Sequence, residues 1–409
     1  MAVYKLTIPS AINATIQLPA SKSISNRVLI INALAGGGTP PGNLSDCDDT
    51  QVMIKALNGE NDLVDIMAAG TAMRFLTAYF SITPGTRIIT GTKRMRQRPI
   101  RILVDALRKL GADIEYIENE GFPPLKITGK ELTDNEIALS GDVSSQYISA
   151  LLMIAPILKN GLNIFLSGEV ISRPYIDLTL NLMKEFGAEA LWDSEDSLTI
   201  KPVSYKSIPF EVESDWSAAS YWYQLAALAD KAEITLPGLL HNSYQGDRRG
   251  AEIFRKLGIA TTFTGEGAVL TKTENRAERL EEDFTDIPDL AQTFAVTCAL
   301  LNIPFRFTGL QTLKIKETNR IAALITELAK LGYVLREEDN SILIWDGERC
   351  ERQTSPVIAT YEDHRMAMAF APAALFYPEI QIADPQVVTK SYPRYWHDLA
   401  QAGVEISEI

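Results

Sequence analysis

A long-period repeat constrains this chain more than any other feature. Four segments read as an amphipathic helix, a glycine and two short strands: "LVDALRKLGADIEYIENEGFPPLKITG", "LTLNLMKEFGAEALWDSEDSLTIKP", "AEIFRKLGIATTFTGEGAVLTKT" and "LITELAKLGYVLREEDNSILIWDG". Their glycines, Gly111, Gly187, Gly258 and Gly332, are separated by 76, 71 and 74 residues. A clipped copy, "WHDLAQAGVEISEI", closes the chain at Gly403, and a weak copy without a hairpin, "VMIKALNGENDLVDI", surrounds Gly59. Glycine just past a helix supplies the left-handed residue that ends it. A period of this length marks a supersecondary unit that must stack on its copies to bury a core.

Each copy follows a second kind of helix, polar at its start and small and apolar in its body. The starts are "SKSISNR", "AGTAMR", "SSQYISALLM", "SDWSAASYW", "PDLAQTFAV" and "DHRMAMAF". The unit therefore reads strand–helix–strand–helix–hairpin, six times, with the first copy truncated. The fold class is α/β (α+β). At 409 residues the chain exceeds one ordinary core. The N-terminal "YKLTIPSAINATIQLP" alternates like strands around a turn and is expected to complete the clipped last copy. One domain is then 1–19 plus 214–409 and the other 20–213, with crossings near Pro19 and Ser214. Three small-residue helices per domain are expected to aim their positive N-termini at the cleft between the domains.

The formal net charge of −13 argues against a nucleic-acid partner. No apolar run reaches spanning length and no signal peptide is apparent, so a cytoplasmic protein without membrane attachment is expected. Cys47, Cys298 and Cys350 are scattered, and His241, His364 and His397 form no metal-binding pattern. No metal or other cofactor is expected. The absence of GxxxxGK[ST], GxGxxG after a strand and GxSxG leaves nucleotide hydrolysis, NAD chemistry and serine-hydrolase chemistry without support.

Within this acidic chain, cations gather at helix starts. Lys22, Ser23 and Arg27 open a helix that runs to Gly36-Gly37-Gly38, and Ser23 and Arg27 share a face. This is either an anion site at a helix N-terminus or a capped, solvated start. Arg94, Arg96, Arg98 and Arg101 precede another helix. Lys316, Glu317 and Arg320 cluster, Asp363-His364-Arg365 precede an apolar body, and Lys390 lies in a loop. Recurrence at repeated helix mouths favours a ligand with several negative charges, since Arg forks onto carboxylate or phosphate and Lys meets phosphate as a point charge. Asp289, after Pro288, and Glu317 are either caps and ion-pair partners or a general base and acid.

The ordered motifs "LPASKSISNR", "SDCDDT", "AGTAMR", "RMRQRPI", "DVSSQYISALLMIAPI", "ISRPYIDLTLNLMKEFGAE", "NSYQGD", "IPD", "KIKETNR", "TYEDHRMAM" and "VTKSYP" span almost the whole chain. They resemble the 3-phosphoshikimate 1-carboxyvinyltransferases (5-enolpyruvylshikimate-3-phosphate synthases). The resemblance implies the enolpyruvyl transferase fold, a two-domain inside-out α/β barrel of six βαβαββ repeats. It implies transfer of the enolpyruvyl group of phosphoenolpyruvate to the 5-hydroxyl of shikimate 3-phosphate, with release of phosphate, in aromatic amino-acid biosynthesis. It also implies that Lys22, Ser23, Arg27, Ser144, Ser145, Gln146, Ser172, Tyr175, Asp289, Thr312 and Lys316 bind shikimate 3-phosphate. By the same resemblance Lys22, Gly70, Arg98, Gln146, Arg320, His364, Arg365 and Lys390 bind phosphoenolpyruvate. Asp289 is the implied base, Glu317 the implied acid, and Lys22 an aid to the leaving phosphate.

The family's "GNAGTAMR" reads "MAAGTAMR" here, so Met67 and Ala68 replace Gly and Asn. Thr312 stands where the family commonly has Asn. Three alternatives are a sister transferase acting on UDP-N-acetylglucosamine, a non-catalytic binder and an RNA-end enzyme. They are disfavoured, respectively, by the lack of cysteine in "GTKRMRQRPI", by the retained Asp289 and Glu317, and by the acidic charge. A monomer is expected.

Overall fold

In the computed structural model, which describes residues 2–59 and 61–409, the chain packs as two compact units. A terminal unit holds Met1–Pro19 and Glu213–Ile409, and an inserted unit holds Ala20–Val212. Glu213 belongs to the terminal unit through its carboxylate, which accepts Ser243 Oγ (2.6 Å) and Gln245 Nε2 (3.1 Å).

The repeated glycines act as the pattern predicts. Gly111, Gly187, Gly258, Gly332 and Gly403 all have φ between 86° and 105°. After four of these helices the next amide reaches back to close the last turn, as in Ala112 N to Leu107 O (2.9 Å) and Val404 N to Leu399 O (3.0 Å). Gly59 differs, with φ −88° and ψ 144°, so the chain runs on extended after Asn58 instead of reversing into a hairpin.

Five four-stranded sheets result among the described residues. In each, the first two strands are parallel and the hairpin adds antiparallel strands. The inserted unit holds the sheet of Leu63–Asp65, Gly85–Thr90, Leu125–Gly129 and Asp113–Tyr116 and that of Glu136–Ser140, Leu162–Ser167, Ser197–Ile200 and Ala190–Trp192. In its first copy, with helices Lys22–Leu34 and Asp48–Asn58, an isolated parallel bridge, Gly42–Glu211, stands where the other copies have a sheet.

The terminal unit corrects one expectation. Val3–Thr7 does complete the last copy, lying between Gln381–Ala383 and Glu405–Glu408. Ala11–Thr15 does not. It pairs in parallel with Lys231–Pro237 and is the first strand of a different sheet. Pro9, without an amide hydrogen, separates the two strands and suits a change of direction between sheets. The fourth copy is thus a strand, then the whole inserted unit, then helix Trp216–Leu228. Asp215 N to Pro19 O (2.9 Å) joins its outgoing and returning ends.

The two helix types bury differently, for a reason visible in composition. Helices of small residues pack on all sides. All ten residues of Ala291–Leu300 are buried, as are all of Ser145–Ile154 except Gln146 and all of Trp216–Leu228 except Ser217. The helices before each glycine bury one stripe, such as Leu103, Val104, Ala106 and Leu107 of Arg101–Lys109. Each unit has its own apolar core. No helix among the described residues is long and apolar enough to cross a membrane.

Candidate active site: two cationic clusters

In the inserted unit, Ser21 caps helix Lys22–Leu34, its side chain accepting Ile24 N at 3.4 Å. Lys22 Nζ lies 3.7 Å from Asp49 Oδ2. Arg27 is 3 % exposed, so the solvated reading of this helix start fails for it. Its guanidinium donates to Thr179 Oγ1 (2.7 Å), Ser23 O (2.9 Å), Ser149 Oγ (3.2 Å) and Tyr175 O (3.3 Å). These are hydroxyls and carbonyls; among the described residues no carboxylate pairs with it. Burial pushes the Arg27 guanidinium down to about 10, with Tyr175 acting weakly the other way. A buried cation neutralised by no fixed anion favours a bound one.

A second arginine repeats the device. Arg74 folds back on its helix start, Nη1 donating to Gly70 O at 2.9 Å, as Arg27 does to Ser23 O. Arg74 and Arg98 are both buried. A Cβ on Gly70 would lie 2.6 Å from Arg98 Nη1 and 3.1 Å from Arg74 Nη1. Glycine leaves room there for the two guanidinium groups as they are placed. Gln146 Nε2 donates to Thr71 Oγ1 at 3.1 Å, and Ser144 caps the helix that Ser145 opens by accepting Gln146 N at 3.4 Å. Ser172 precedes helix Arg173–Glu185 in a left-handed conformation, φ 55°, which for serine stores strain of about 1–3 kcal/mol. Helix Ser145–Ile154 joins the two groups: Gln146 reaches Thr71, and Ser149 reaches Arg27 and accepts Thr179 Oγ1 at 2.8 Å.

Not every cation singled out by position belongs here. Arg96 pairs with Glu118 (3.1 Å) and Arg101 with Glu120 (4.0 Å), all exposed. Such pairs contribute little. Arg98 is distinguished by burial against Gly70. Met67 takes φ 53° and is 54 % exposed, with its carbonyl accepting Thr92 N at 2.9 Å.

The terminal unit assembles a denser network. Asp289 lies in the turn Pro288–Leu290 ahead of helix Ala291–Leu300. Its carboxylate meets Arg320 Nη1 (2.9 Å), Arg365 Nη2 (3.0 Å) and Lys316 Nζ (3.4 Å). Glu317 meets Arg320 Nη2 (3.0 Å) and Lys390 Nζ (2.8 Å). Asp363, fully buried, receives Arg320 Nε (2.7 Å) and Nη2 (3.3 Å), and it caps helix His364–Phe370 by accepting Arg365 N at 2.9 Å. His364 Nδ1 is 3.7 Å from Asp363 Oδ1. Thr312, in the neighbouring turn Gln311–Ile315, has a buried hydroxyl without a hydrogen-bonding partner among the described residues.

Four cations, Lys316, Arg320, Arg365 and Lys390, thus face three carboxylates, Asp289, Glu317 and Asp363. Burial alone would raise the Asp289 carboxyl, but Arg365, Lys316 and Arg320 together outweigh it and hold it well below the usual carboxylate range. Burial pushes the Lys316 ammonium down, with Asp289 acting the other way.

Asp363, Arg74, Asp49 and Tyr221 were not expected as site residues. Arg74 had a legible signal, since it stands four residues after Gly70 as Arg27 stands four after Ser23. Asp363 stood out in sequence only as part of the Asp363-His364-Arg365 group at a helix start. Tyr221 Oη accepts Arg365 Nη1 at 3.4 Å from the middle of an apolar helix, and nothing in the sequence marks it.

The family model of EPSP synthase (3-phosphoshikimate 1-carboxyvinyltransferase) matches residues 6–59 and 56–399. The chain belongs to the EPSP synthase family. A 3-phosphoshikimate 1-carboxyvinyltransferase of Bacteroides fragilis is 68 % identical over 403 residues, covering 98 % of each chain. One of Vibrio vulnificus is 36 % identical over 417 residues, covering 95 % of this chain and 96 % of its own. Among solved structures, EPSP synthase from Acinetobacter baumannii matches all of both chains with a TM-score of 0.78 at 20 % identity. The enolpyruvyl transferase NikO from Streptomyces tendae matches with a TM-score of 0.71 at 14 % identity, over 100 % of this chain and 99 % of its own. This EPSP synthase family member therefore has the two-domain α/β fold of the enolpyruvyl transferases.

Proposed function

We propose that the two clusters together hold the substrate pair of the EPSP synthase reaction, shikimate 3-phosphate and phosphoenolpyruvate, and that Asp289 and Glu317 carry its proton transfers. The observation that carries this assignment is that one buried guanidinium, Arg320, donates to both carboxylates within a group of four cations and three carboxylates.

In this assignment Ser23, Arg27, Ser144, Ser145, Gln146, Ser172 and Tyr175 hold shikimate 3-phosphate from the inserted unit, and Asp289, Thr312 and Lys316 meet its hydroxyls. Lys22, Arg98 and Lys390 hold the phosphate of phosphoenolpyruvate, Arg320 and Arg365 take its carboxylate with Gly70 and Gln146 nearby, and His364 also serves this substrate. That carboxylate competes with Asp289 for the two guanidinium groups. As they turn to the ligand, Asp289 keeps Lys316 but loses two of the three charges that depress its proton affinity, and becomes a better base. Binding thus prepares the catalyst.

The chemistry then balances as follows. Asp289 removes the proton of the 5-hydroxyl as its oxygen bonds to C2 of phosphoenolpyruvate, and Glu317 delivers a proton to C3, making a methyl group. Glu317, left as a carboxylate, takes a proton back from C3 as the C2–O bond to phosphate breaks, which restores the double bond and releases phosphate with Lys22 assisting the leaving group. We also place the enzyme in the cytoplasm as a monomer. Both substrates are phosphorylated anions that do not cross membranes unaided.

Replacing Asp289 by Ala, or Glu317 by Gln, should lower turnover by roughly a hundredfold or more. Affinity for shikimate 3-phosphate, measured by calorimetry, should change far less. Near-normal turnover in either variant would refute that residue's role.

A further inference from the structure

We propose that Glu327 and Tyr361 are a positioning pair that fixes the segment presenting Asp363 and Arg365, a role that rests on the site assignment above. Glu327 lies on helix Arg320–Lys330, two turns beyond Arg320 on the same face. Its side chain is fully buried, and among the described residues its hydrogen bonds go to groups other than the reacting ones. Its carboxylate accepts Tyr361 Oη at 2.6 Å, Ala359 N at 3.1 Å and Lys330 Nζ at 2.6 Å.

These contacts form an ordered series. Lys330 also donates to Val357 O at 2.7 Å, Glu327 holds residues 359 and 361, and Arg320 forks onto Asp363. The helix therefore grips the segment 357–363 along its length, running in the opposite direction. Between the last two grips, Tyr361 and Glu362 have φ of 55° and 56°. Two successive left-handed residues without glycine are disfavoured and persist only where their surroundings impose them. The grip on the Tyr361 side chain supplies that imposition, and the double turn delivers Asp363 to Arg320 and caps the helix that carries Arg365. A buried carboxylate is a poor way to gain stability alone, since apolar packing does as well or better. Its retention here fits the placement of a segment.

Tyr361→Phe removes one contact from a residue that is 38 % exposed, so the variant should fold. Hydrogen exchange read by mass spectrometry should show residues 359–366 opening about tenfold faster, with helix Trp216–Leu228 unchanged. The KM for phosphoenolpyruvate should rise about three- to tenfold, with kcat and the KM for shikimate 3-phosphate within about twofold. Glu327→Gln, which removes the charge but retains an acceptor, should show the same pattern more strongly. Unchanged exchange in 359–366 would overturn the proposal. So would a parallel rise in both KM values, which marks a merely structural role. A wild-type enzyme releasing no phosphate would refute the functional assignment, and the exchange result would still decide whether the pair holds the segment.

Discussion

Asp363→Asn separates charge from geometry at the buried end of the terminal unit's cluster. Asn retains a side-chain oxygen to cap helix His364–Phe370, so the contact from Arg365 N should survive. What is lost is the negative charge facing Arg320, whose exposure is 1 %, against 0 % for Asp363. Breaking a fully buried pair costs about 3–5 kcal/mol. Arg320 keeps Asp289 and Glu317 as partners, so the loss should fall to about 2–3 kcal/mol, below the full cost of a stranded buried charge. For a unit of this size each kcal/mol moves Tm by about 2–4 °C, so Tm should drop by roughly 4–12 °C. Tryptophan fluorescence is a suitable monitor, because Trp216, Trp222, Trp345 and Trp396 lie in the terminal unit and only Trp192 lies in the other. The drop should persist at high salt, which screens exposed pairs but not buried ones. Asp363→Ala should lose about 1 kcal/mol more, the value of the cap. A Tm for Asp363→Asn within about 2 °C of the parent, less than 1 kcal/mol by the same conversion, would refute the pair's assigned role. Equal losses in the two variants would refute the separate role of the cap.

Two further substitutions probe the inserted unit. Met67→Gly relieves a left-handed methionine, worth about 1–2 kcal/mol, against a glycine entropy cost of about 0.5–1 kcal/mol. The urea midpoint of the inserted unit, followed through Trp192, should therefore rise slightly; a fall would contradict the strain argument. Gly70→Ala places a methyl 2.6 Å from Arg98 Nη1 and should displace that guanidinium. Because misplacement by about 1 Å can cost up to a hundredfold, the KM for phosphoenolpyruvate should rise well beyond that for shikimate 3-phosphate. An unchanged value would remove Arg98 from the phosphoenolpyruvate site.

The repeat was legible because its punctuation is chemical. A glycine needed at positive φ and a run of small residues needed in a crowded interior leave marks that composition cannot blur. The split of the N-terminal segment was not legible. Alternation identifies Ala11–Thr15 as a strand, but its parallel partner Lys231–Pro237 lies on the far side of the inserted unit. Local pattern carries no information about such a partner. In the site, charged residues at helix starts were readable, but their burial was not. Arg96, Arg98 and Arg101 look alike in sequence, and only packing against Gly70 sets Arg98 apart from two surface pairs. Asp289 was readable as a candidate base. Its depressed proton affinity was not, because cations from two other segments, Lys316 with Arg320 and Arg365, cause it.

Phosphate release from phosphoenolpyruvate by the purified protein tests the central claim most directly, with shikimate 3-phosphate and, separately, UDP-N-acetylglucosamine as acceptor. Release with shikimate 3-phosphate alone is the predicted result, and it would show that Met67, Ala68 and Thr312 are compatible with turnover. Binding of shikimate 3-phosphate without release, or release only with UDP-N-acetylglucosamine, would contradict the account.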